Sequence, residues 1–286
     1  MVPTDVHAPS SPADNPSRSS PLERLGHALL GLGVPLFAFA IIALGIETLL
    51  CARFAGYDRN FGAAYKTIPV IPFLPQIPWL AYAFGAILAV YGVGLLSKHT
   101  VRTAAMTVGS LMFLSAVFLD APKYAANLGS MSVRTEVFEP TALAALAWLL
   151  PGPGATSSWL ERASRYLLAI SFIVFGVDHF LALAPIGTLI PTWIPWHVFW
   201  IALFGAGFIA TGISLALDIL VRWSAACIGL MFAIWVFTLH LPRTLFGLDG
   251  GVGPKSPDEW SSLLIAVAIW GGSWALARSW TRSLSA

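Results

Sequence analysis

Eight apolar stretches run along this sequence, each bounded by charged residues or by Pro and Gly. Most are close to the ~20 residues that a helix needs to cross the hydrocarbon core of a bilayer. The stretches cover residues 25–52, 77–97, 101–121, 138–151, 160–183, 196–219, 222–241 and 259–279. Since lipid offers no hydrogen-bond partners to backbone groups, the pattern predicts an all-α integral membrane protein with about eight transmembrane helices.

Composition supports a membrane location and excludes several classes of protein. Hydrophobic residues make up 57% of the 286 residues and charged residues only 10%, against about 25% charged in a typical soluble domain. These values exclude a soluble enzyme and a secreted disulfide scaffold, and they make membrane lipid the first expected partner. The net charge of +2, without a cluster of Lys and Arg, excludes nucleic acid as a partner.

The ends and loops of the chain predict its orientation. Residues 1–23 are rich in Ser, Pro, Asp and Asn, so we expect a disordered N-terminal tail. An even number of helices places both termini on one side of the membrane. More of the 16 Lys and Arg residues lie on that side than on the other, mostly near helix ends. The positive-inside rule therefore predicts a multi-pass protein of the cell inner membrane with both termini in the cytoplasm and long outer loops.

The two halves of the sequence match each other at an offset of about 120 residues. The matched positions are Gly85 and Gly205, Gly92 and Gly212, Arg102 and Arg222, Pro122-Lys123 and Pro242-Arg243, and Glu139 and Glu259. Nearer the N-terminus the offset drifts, and residues 45–49 match residues 176–180. We therefore predict a degenerate first repeat at 24–154 and a second repeat at 155–286. Each has four helices, which predicts two parallel-repeat four-helix bundles lying side by side.

Five ionisable residues lie inside the predicted helices, namely Glu47, Asp120, Asp178, His179 and His240. Such a group costs about 2.5–3.5 kcal/mol at membrane depth even on lenient scales, so each needs a reason. All five lie toward the outer ends of helices that run outward. The repeat arranges them in two clusters, Glu47 with Asp120 and Lys123, and Asp178 with His179, His240 and Arg243.

These two clusters allow a functional interpretation and a structural one. In the functional one, His179 and His240 are catalytic and exchange protons with a bound hydroxylated ligand, since imidazole titrates near neutral pH. The other cluster residues would help to bind that ligand, with Asp178 orienting an imidazole or pairing with Arg243. A headgroup at this depth would keep its tail in the bilayer, which suits a quinone or an isoprenoid and makes a quinone the candidate cofactor. We expect no metal, because the adjacent residues Asp178 and His179 point about 100° apart around a helix.

In the structural interpretation, Glu47 pairs with Lys123 and Asp178 pairs with Arg243 at the membrane interface. The histidines would then hydrogen-bond to backbone carbonyls. Acid–base pairing recurs in both clusters, which favours this interpretation, whereas the histidines occur only in the second.

The second half resembles the DoxX family of four-helix membrane proteins. The resemblance rests on Arg165, the sequence GVDHF at 176–180, the Pro-rich IPTWIPW at 190–196, Gly207, Gly212, Arg222 and the sequence HLPR at 240–243. It implies a functionally mixed group, in which some members are subunits of thiosulfate:quinone oxidoreductase or other redox complexes and others are assembly or cargo factors.

Three hypotheses follow for the function. The first is a quinone- or lipid-binding subunit of a membrane redox complex, with other subunits of that complex as partners. The second is a non-catalytic scaffold or assembly factor that binds a partner through its outer loops. The third is a small-molecule transporter, which ranks lower because the sequence shows no paired broken helices or midplane charges.

Overall fold

The computed structural model describes residues 20–52, 54 and 77–283, and this part of the chain is helical without strands. The predicted disorder of residues 1–19 and the predicted outer loop at 53–76 lie outside the described residues, Phe54 excepted. The helix predicted to begin the first repeat begins earlier, at Pro21, because Ser20 and Glu23 form a reciprocal N-terminal cap. The first half contains α1 (Pro21–Gly31), α2 (Gly33–Cys51), α3 (Pro78–Gly94), α4 (Val101–Ser115), α5 (Ala121–Ala125) and α6 (Met131–Leu149). The second half contains α7 (Ser158–Leu181), α8 (Leu183–Gly187), α9 (His197–Leu217), α10 (Val221–Trp235), α11 (Leu241–Phe246) and α12 (Pro257–Ser283).

Six helical segments among the described residues are long and apolar enough to cross a membrane, which indicates a multi-pass membrane protein. They are Glu23–Cys51, Val101–Ala125, Ser158–Leu181, His197–Leu217, Val221–Phe246 and Pro257–Trp280. All eight apolar stretches of the sequence are helical. The other two correspond to α3, which is apolar but has only 17 residues, and α6.

Helix α6 differs most from its prediction, because it begins at Met131 rather than at residue 138. Ser130 caps its N-terminus by accepting a hydrogen bond from the backbone N–H of Val133. The added turns place Arg134 and Glu136 inside a helix, where the sequence predicted a loop. Both side chains have oppositely charged partners on neighbouring helices, and these ion pairs make a charged residue tolerable at a buried position (Glu136) or a half-buried one (Arg134).

The helices pack in a closed order that joins the two halves. Within the halves, α2 packs against α3, α3 against α4 and α4 against α6, as α7 packs against α9, α9 against α10 and α10 against α12. Between the halves, α12 packs against α2, α6 packs against α7, and α6 also contacts α12. In the described part of the chain, α2 does not pack closely against α6, and α7 does not pack closely against α12. The prediction of two four-helix bundles lying side by side is therefore not confirmed, because α12 packs against α2 and α6 packs against α7 across the boundary of the halves.

Glycines bring α2 into backbone contact with α3, and α7 into backbone contact with α9. A Cβ added at Gly45 would lie 2.6 Å from the carbonyl oxygen of Gly85, and one added at Gly176 would lie 2.6 Å from that of Gly205. Membrane helices gain van der Waals contact when small residues allow such a close approach. The same pair of contacts thus holds α2 to α3 and α7 to α9.

A π-helical turn interrupts the third long helix of each half, at Ala116–Asp120 after α4 and at Val236–His240 after α10. Pro122 and Pro242 follow these turns and have no N–H for the preceding carbonyls. Each turn gives one carbonyl a partner five residues later instead of four. Asp120 and His240 are the last residues of the two turns, so the structure places them at corresponding positions.

Candidate functional site

Asp178 is held by two residues of the other half of the chain. Its side chain is buried near the C-terminal end of α7 and forms an ion pair with Arg134 of α6. The Arg134 Nε–H donates to Asp178 Oδ1 at 2.9 Å, and the Thr135 hydroxyl donates to Asp178 Oδ2 at 3.1 Å. Since both carboxylate oxygens are engaged from α6, the predicted Asp178–Arg243 pair is wrong.

Arg243 instead joins α11 to α12 and orders the loop between them. Its Nη2 lies 3.1 Å from Glu259 Oε1, and its Nη1 donates to the carbonyl of Asp249 at 2.6 Å. The hydroxyl of Thr244 donates to the backbone carbonyl of Glu259 at 3.1 Å. These bonds make Arg243 the centre of a folded turn rather than a residue open to a ligand.

The first half contains an ion pair between Lys123 of α5 and Glu136 of α6, as the second half contains the Arg243–Glu259 pair between α11 and α12. Lys123 Nζ lies 2.5 Å from Glu136 Oε2, and both side chains are at most 3% exposed. The sequence predicted Glu47 as the partner of Lys123. The structure gives Lys123 the partner Glu136, and Glu47 Oε1 accepts a hydrogen bond of 2.6 Å from the Ser261 hydroxyl of α12.

The bonds of Glu47 and Asp178 correspond to each other across the two halves. Each is a buried carboxylate on the first helix of one half, and each accepts from a hydroxyl on the last helix of the other half. Ser261 and Thr135 are these hydroxyl donors. They stand at the same distance from the start of their helices, which gives α6 and α12 an offset of about 126 residues. The predicted match of Glu139 with Glu259 is therefore out of register in the structure.

One ring nitrogen of His179 forms a hydrogen bond, and the other forms none among the described residues. Its side chain is 8% exposed, and its Nδ1 lies 2.7 Å from the carbonyl oxygen of Phe175. The imidazole stacks on Trp235 with 5.5 Å between ring centroids and an interplanar angle of 18°, and Phe208 lies 5.3 Å away. Within the described residues, the buried Nε2 makes no hydrogen bond.

The rings around His179 form one cluster at the meeting point of α7, α9 and α10. Its other members are Phe172, Phe175, Phe204, Phe208, Phe232 and Trp235, joined by centroid distances of 5.2 to 6.3 Å. The sequence did not single out these residues as part of a site. Their three- and four-residue spacing within each helix was the available signal, because that spacing puts side chains on one helix face.

The structure does not bring all the predicted site residues together. Asp120 is buried and His240 is half-buried, each at the end of its π-helical turn. His240 is not among the ring or hydrogen-bond contacts of His179 in the described part of the chain. Asp178 does not orient His179 by a hydrogen bond, since Nδ1 is bonded to the Phe175 carbonyl.

The described residues hold no candidate metal site, and an open groove in them lies away from the predicted site residues. No group of three or more His, Cys, Asp or Glu side chains there is placed to hold a metal ion. An open groove of about 380 Å³ lies between α3 and α4, and none of the predicted site residues lines it. Its walls are Ile87, Met106, Thr107, Ser110, Leu111 and Leu114.

Comparison with known proteins gives no relative from which a function transfers. No protein-family model matches the sequence, and no curated protein or solved structure is significantly similar to it.

Proposed function

We propose that this protein is a DoxX-like subunit of a membrane redox complex that binds a quinone-type lipid headgroup beside His179. One observation carries the proposal: His179 Nε2 is buried and has no hydrogen-bond partner among the described residues. Buried polar atoms are almost always bonded, and an exception asks for an explanation such as an absent ligand. By contrast, Asp178 and Arg243 are engaged in bonds that tie helices together.

The surroundings of His179 suit a planar headgroup with an apolar tail. Phe208 and Trp235 offer ring faces and edges for stacking, and aromatic pairs add about 0.5–1.5 kcal/mol beyond their buried area. The helices that carry these rings are among the segments long enough to span a bilayer. A prenylated headgroup of this class with a hydroxyl group would hydrogen-bond to the imidazole and leave its tail in lipid.

The architecture that we propose for this function has eight spans and two repeats, 24–154 and 155–286. The glycine contacts, the two π-helical turns and the Glu47–Ser261 and Asp178–Thr135 bonds recur in both halves and support a duplication. We further propose an inner-membrane location with both termini in the cytoplasm, as the distribution of Lys and Arg indicates.

A scaffold or assembly factor is the second candidate, and a separate observation favours it. The described bonds of Lys123, Asp178 and Arg243 all link helices or order a loop. In that case the polar residues serve the fold alone, and a partner protein would bind to the outer loops.

Bound lipid distinguishes these two functions. We would purify the full chain in mild detergent, extract lipid for mass spectrometry and record an oxidised-minus-reduced absorbance spectrum on the same sample. We expect a stoichiometric prenylquinone in the wild type and its loss in His179→Leu. His240→Ala measures in parallel whether the second histidine contributes.

Thr48→Val is the matched control for His179→Leu. Thr48 lies in the last turn of α2, and His179 lies in the last turn of α7. The hydroxyl of Thr48 donates to the carbonyl of Leu44 at 2.8 Å, as the His179 ring bonds to the carbonyl of Phe175. Both substitutions therefore remove a bond to the carbonyl four residues earlier, but only one removes the imidazole. Phospholipid alone in the wild type, with a flat difference spectrum, would favour the scaffold and direct the search to co-purifying proteins.

A further inference from the structure

The hydrogen bond at Nδ1 fixes which kind of group His179 can bind. Nδ1 lies 2.7 Å from the carbonyl oxygen of Phe175, and a carbonyl oxygen only accepts hydrogen bonds. The proton of the neutral imidazole must therefore be on Nδ1. In a neutral imidazole the other nitrogen then has a lone pair and acts as an acceptor.

The surroundings keep Nε2 in that acceptor state. The nitrogen is fully enclosed, and aromatic rings of α9 and α10 lie against the imidazole. A second proton would place a charged donor among these rings without an acceptor in reach. Burying an unpaired charge or donor is costly, so the neutral ring is the stable form.

We infer that this site selects the reduced form of its ligand, a hydroquinone whose O–H donates to His179 Nε2. The inference rests on the proposed function and names the ligand form. The oxidised quinone presents only carbonyl oxygens, which would face the lone pair of Nε2 and form no hydrogen bond. Since the deprotonated nitrogen stays unsatisfied in that case, the quinone loses the interaction that the hydroquinone gains.

Trp235 packs on the face of the His179 imidazole, which leaves the in-plane lone pair of Nε2 as the atom that a donor would contact. Trp235 is itself half-buried, so the aromatic cluster around His179 reaches the protein surface at this ring. Phe204 packs against Trp235 with 5.2 Å between centroids, and Trp200 stacks on Phe204 at 5.9 Å. Trp200, Phe204 and Trp235 thus form a row of half-buried rings that runs from α9 to α10 and ends at His179.

Three probes with the same ring test the hydrogen-bond requirement. They are a short-chain benzoquinone, its hydroquinone, and the dimethyl ether of that hydroquinone, which has no donor and is not oxidised. We would titrate each, without oxygen, into the full chain in detergent and follow quenching of Trp fluorescence. We expect the hydroquinone to bind at least tenfold more tightly than the other two, which corresponds to about 1.4 kcal/mol.

Two substitutions at His179 refine the test. His179→Leu removes the acceptor, so all three probes should bind equally weakly. His179→Gln offers both a donor and an acceptor, so the preference for the hydroquinone over the quinone should fall. Thr48→Val should keep the tenfold preference of the wild type.

The outcomes separate this inference from the function on which it rests. Quinone binding that equals or exceeds hydroquinone binding in the wild type, and that is lost in His179→Leu, overturns the selectivity but keeps the site. Binding of all probes that is absent, or unchanged in His179→Leu, overturns both. The comparison of the three probes needs only the wild type, so a misfolded variant does not decide the result.

Discussion

Among single residues, burial determines how each ionisable group is used. Asp178, Lys123 and Glu136 are each at most 3% exposed, and each has an oppositely charged partner. The sequence predicted the presence of such residues near the outer helix ends but gave Asp178 the wrong partner. Arg134 was placed in a loop because a charged residue there breaks the apolar pattern, whereas the ion pair with Asp178 lets it lie in a helix.

Loss of the Asp178 carboxylate should destabilise the protein strongly. In Asp178→Asn the Arg134 guanidinium loses its counter-charge, and breaking a buried pair costs about 3–5 kcal/mol. We expect the lower end of this range, because the Arg134 side chain is 23% exposed and reaches some solvent. Thermal unfolding of the purified protein, followed by loss of the monodisperse peak, measures the effect.

Asp249→Asn is the matched control for this prediction, since Asp249 forms no ion pair in the described part of the chain and Asn tolerates its left-handed backbone. It should unfold like the wild type. Adding Arg134→Gln to Asp178→Asn should cost less than the sum of the single changes, because no unpaired charge remains. Additive losses would contradict the direct pairing.

Helix packing depends on glycines whose positions the sequence showed but whose contacts it did not. Gly85, Gly92, Gly205 and Gly212 were recognised as repeated positions, and the structure places each against the first helix of its own half. The π-helical turns were not predicted. The sequence marks each turn only by a proline two residues after it, Pro122 or Pro242. A proline alone does not distinguish a π-helical turn from the end of a helix.

Two alanine substitutions on α9 test the packing of α7 against α9. A Cβ at Gly212 would lie 2.7 Å from the carbonyl oxygen of Ala169, so Gly212→Ala must push the helices apart. We expect a loss of about 1–3 kcal/mol in the free energy of unfolding. At Gly207 a Cβ meets no atom within 4 Å, so Gly207→Ala should be neutral or slightly stabilising. Equal effects of the two substitutions, measured by thermal unfolding, would argue against the close helix contact.

At the scale of the whole molecule, the last helix of each half belongs to the packing of the other half. Helix α12 packs against α2 and α6 packs against α7, and the Glu47–Ser261 and Asp178–Thr135 bonds lie at these two contacts. Neither half is therefore complete without the other. The predicted division at residue 154 stays a prediction, and the contacts of α6 and α12 cross it.

Splitting the chain between the halves tests whether each half needs the last helix of the other. Residues 1–154 and 155–286, expressed as separate polypeptides in one cell, should co-purify through a tag on either one. Each expressed alone should be degraded or aggregate, because its first helix lacks its neighbour. Two fragments that are separately monodisperse and do not associate would restore the picture of two independent bundles.

The sequence by itself determined that this is a helical membrane protein, where its long helices lie and which residues are exceptional. These features follow from apolar length and local charge, which act along a single helix. It also singled out His179, because a histidine inside an apolar helix stands out in any arrangement of the helices.

Only the tertiary structure decided the partners. Three features join residues that are distant in the chain. They are the pairing of Arg134 with Asp178, the packing of α12 against α2, and the aromatic cluster around His179. In a bilayer every helix is apolar on its outside, so apolar pattern does not tell which helix faces which. Small residues, hydrogen bonds and buried charges make that choice, and their partners are defined only when the helices are packed.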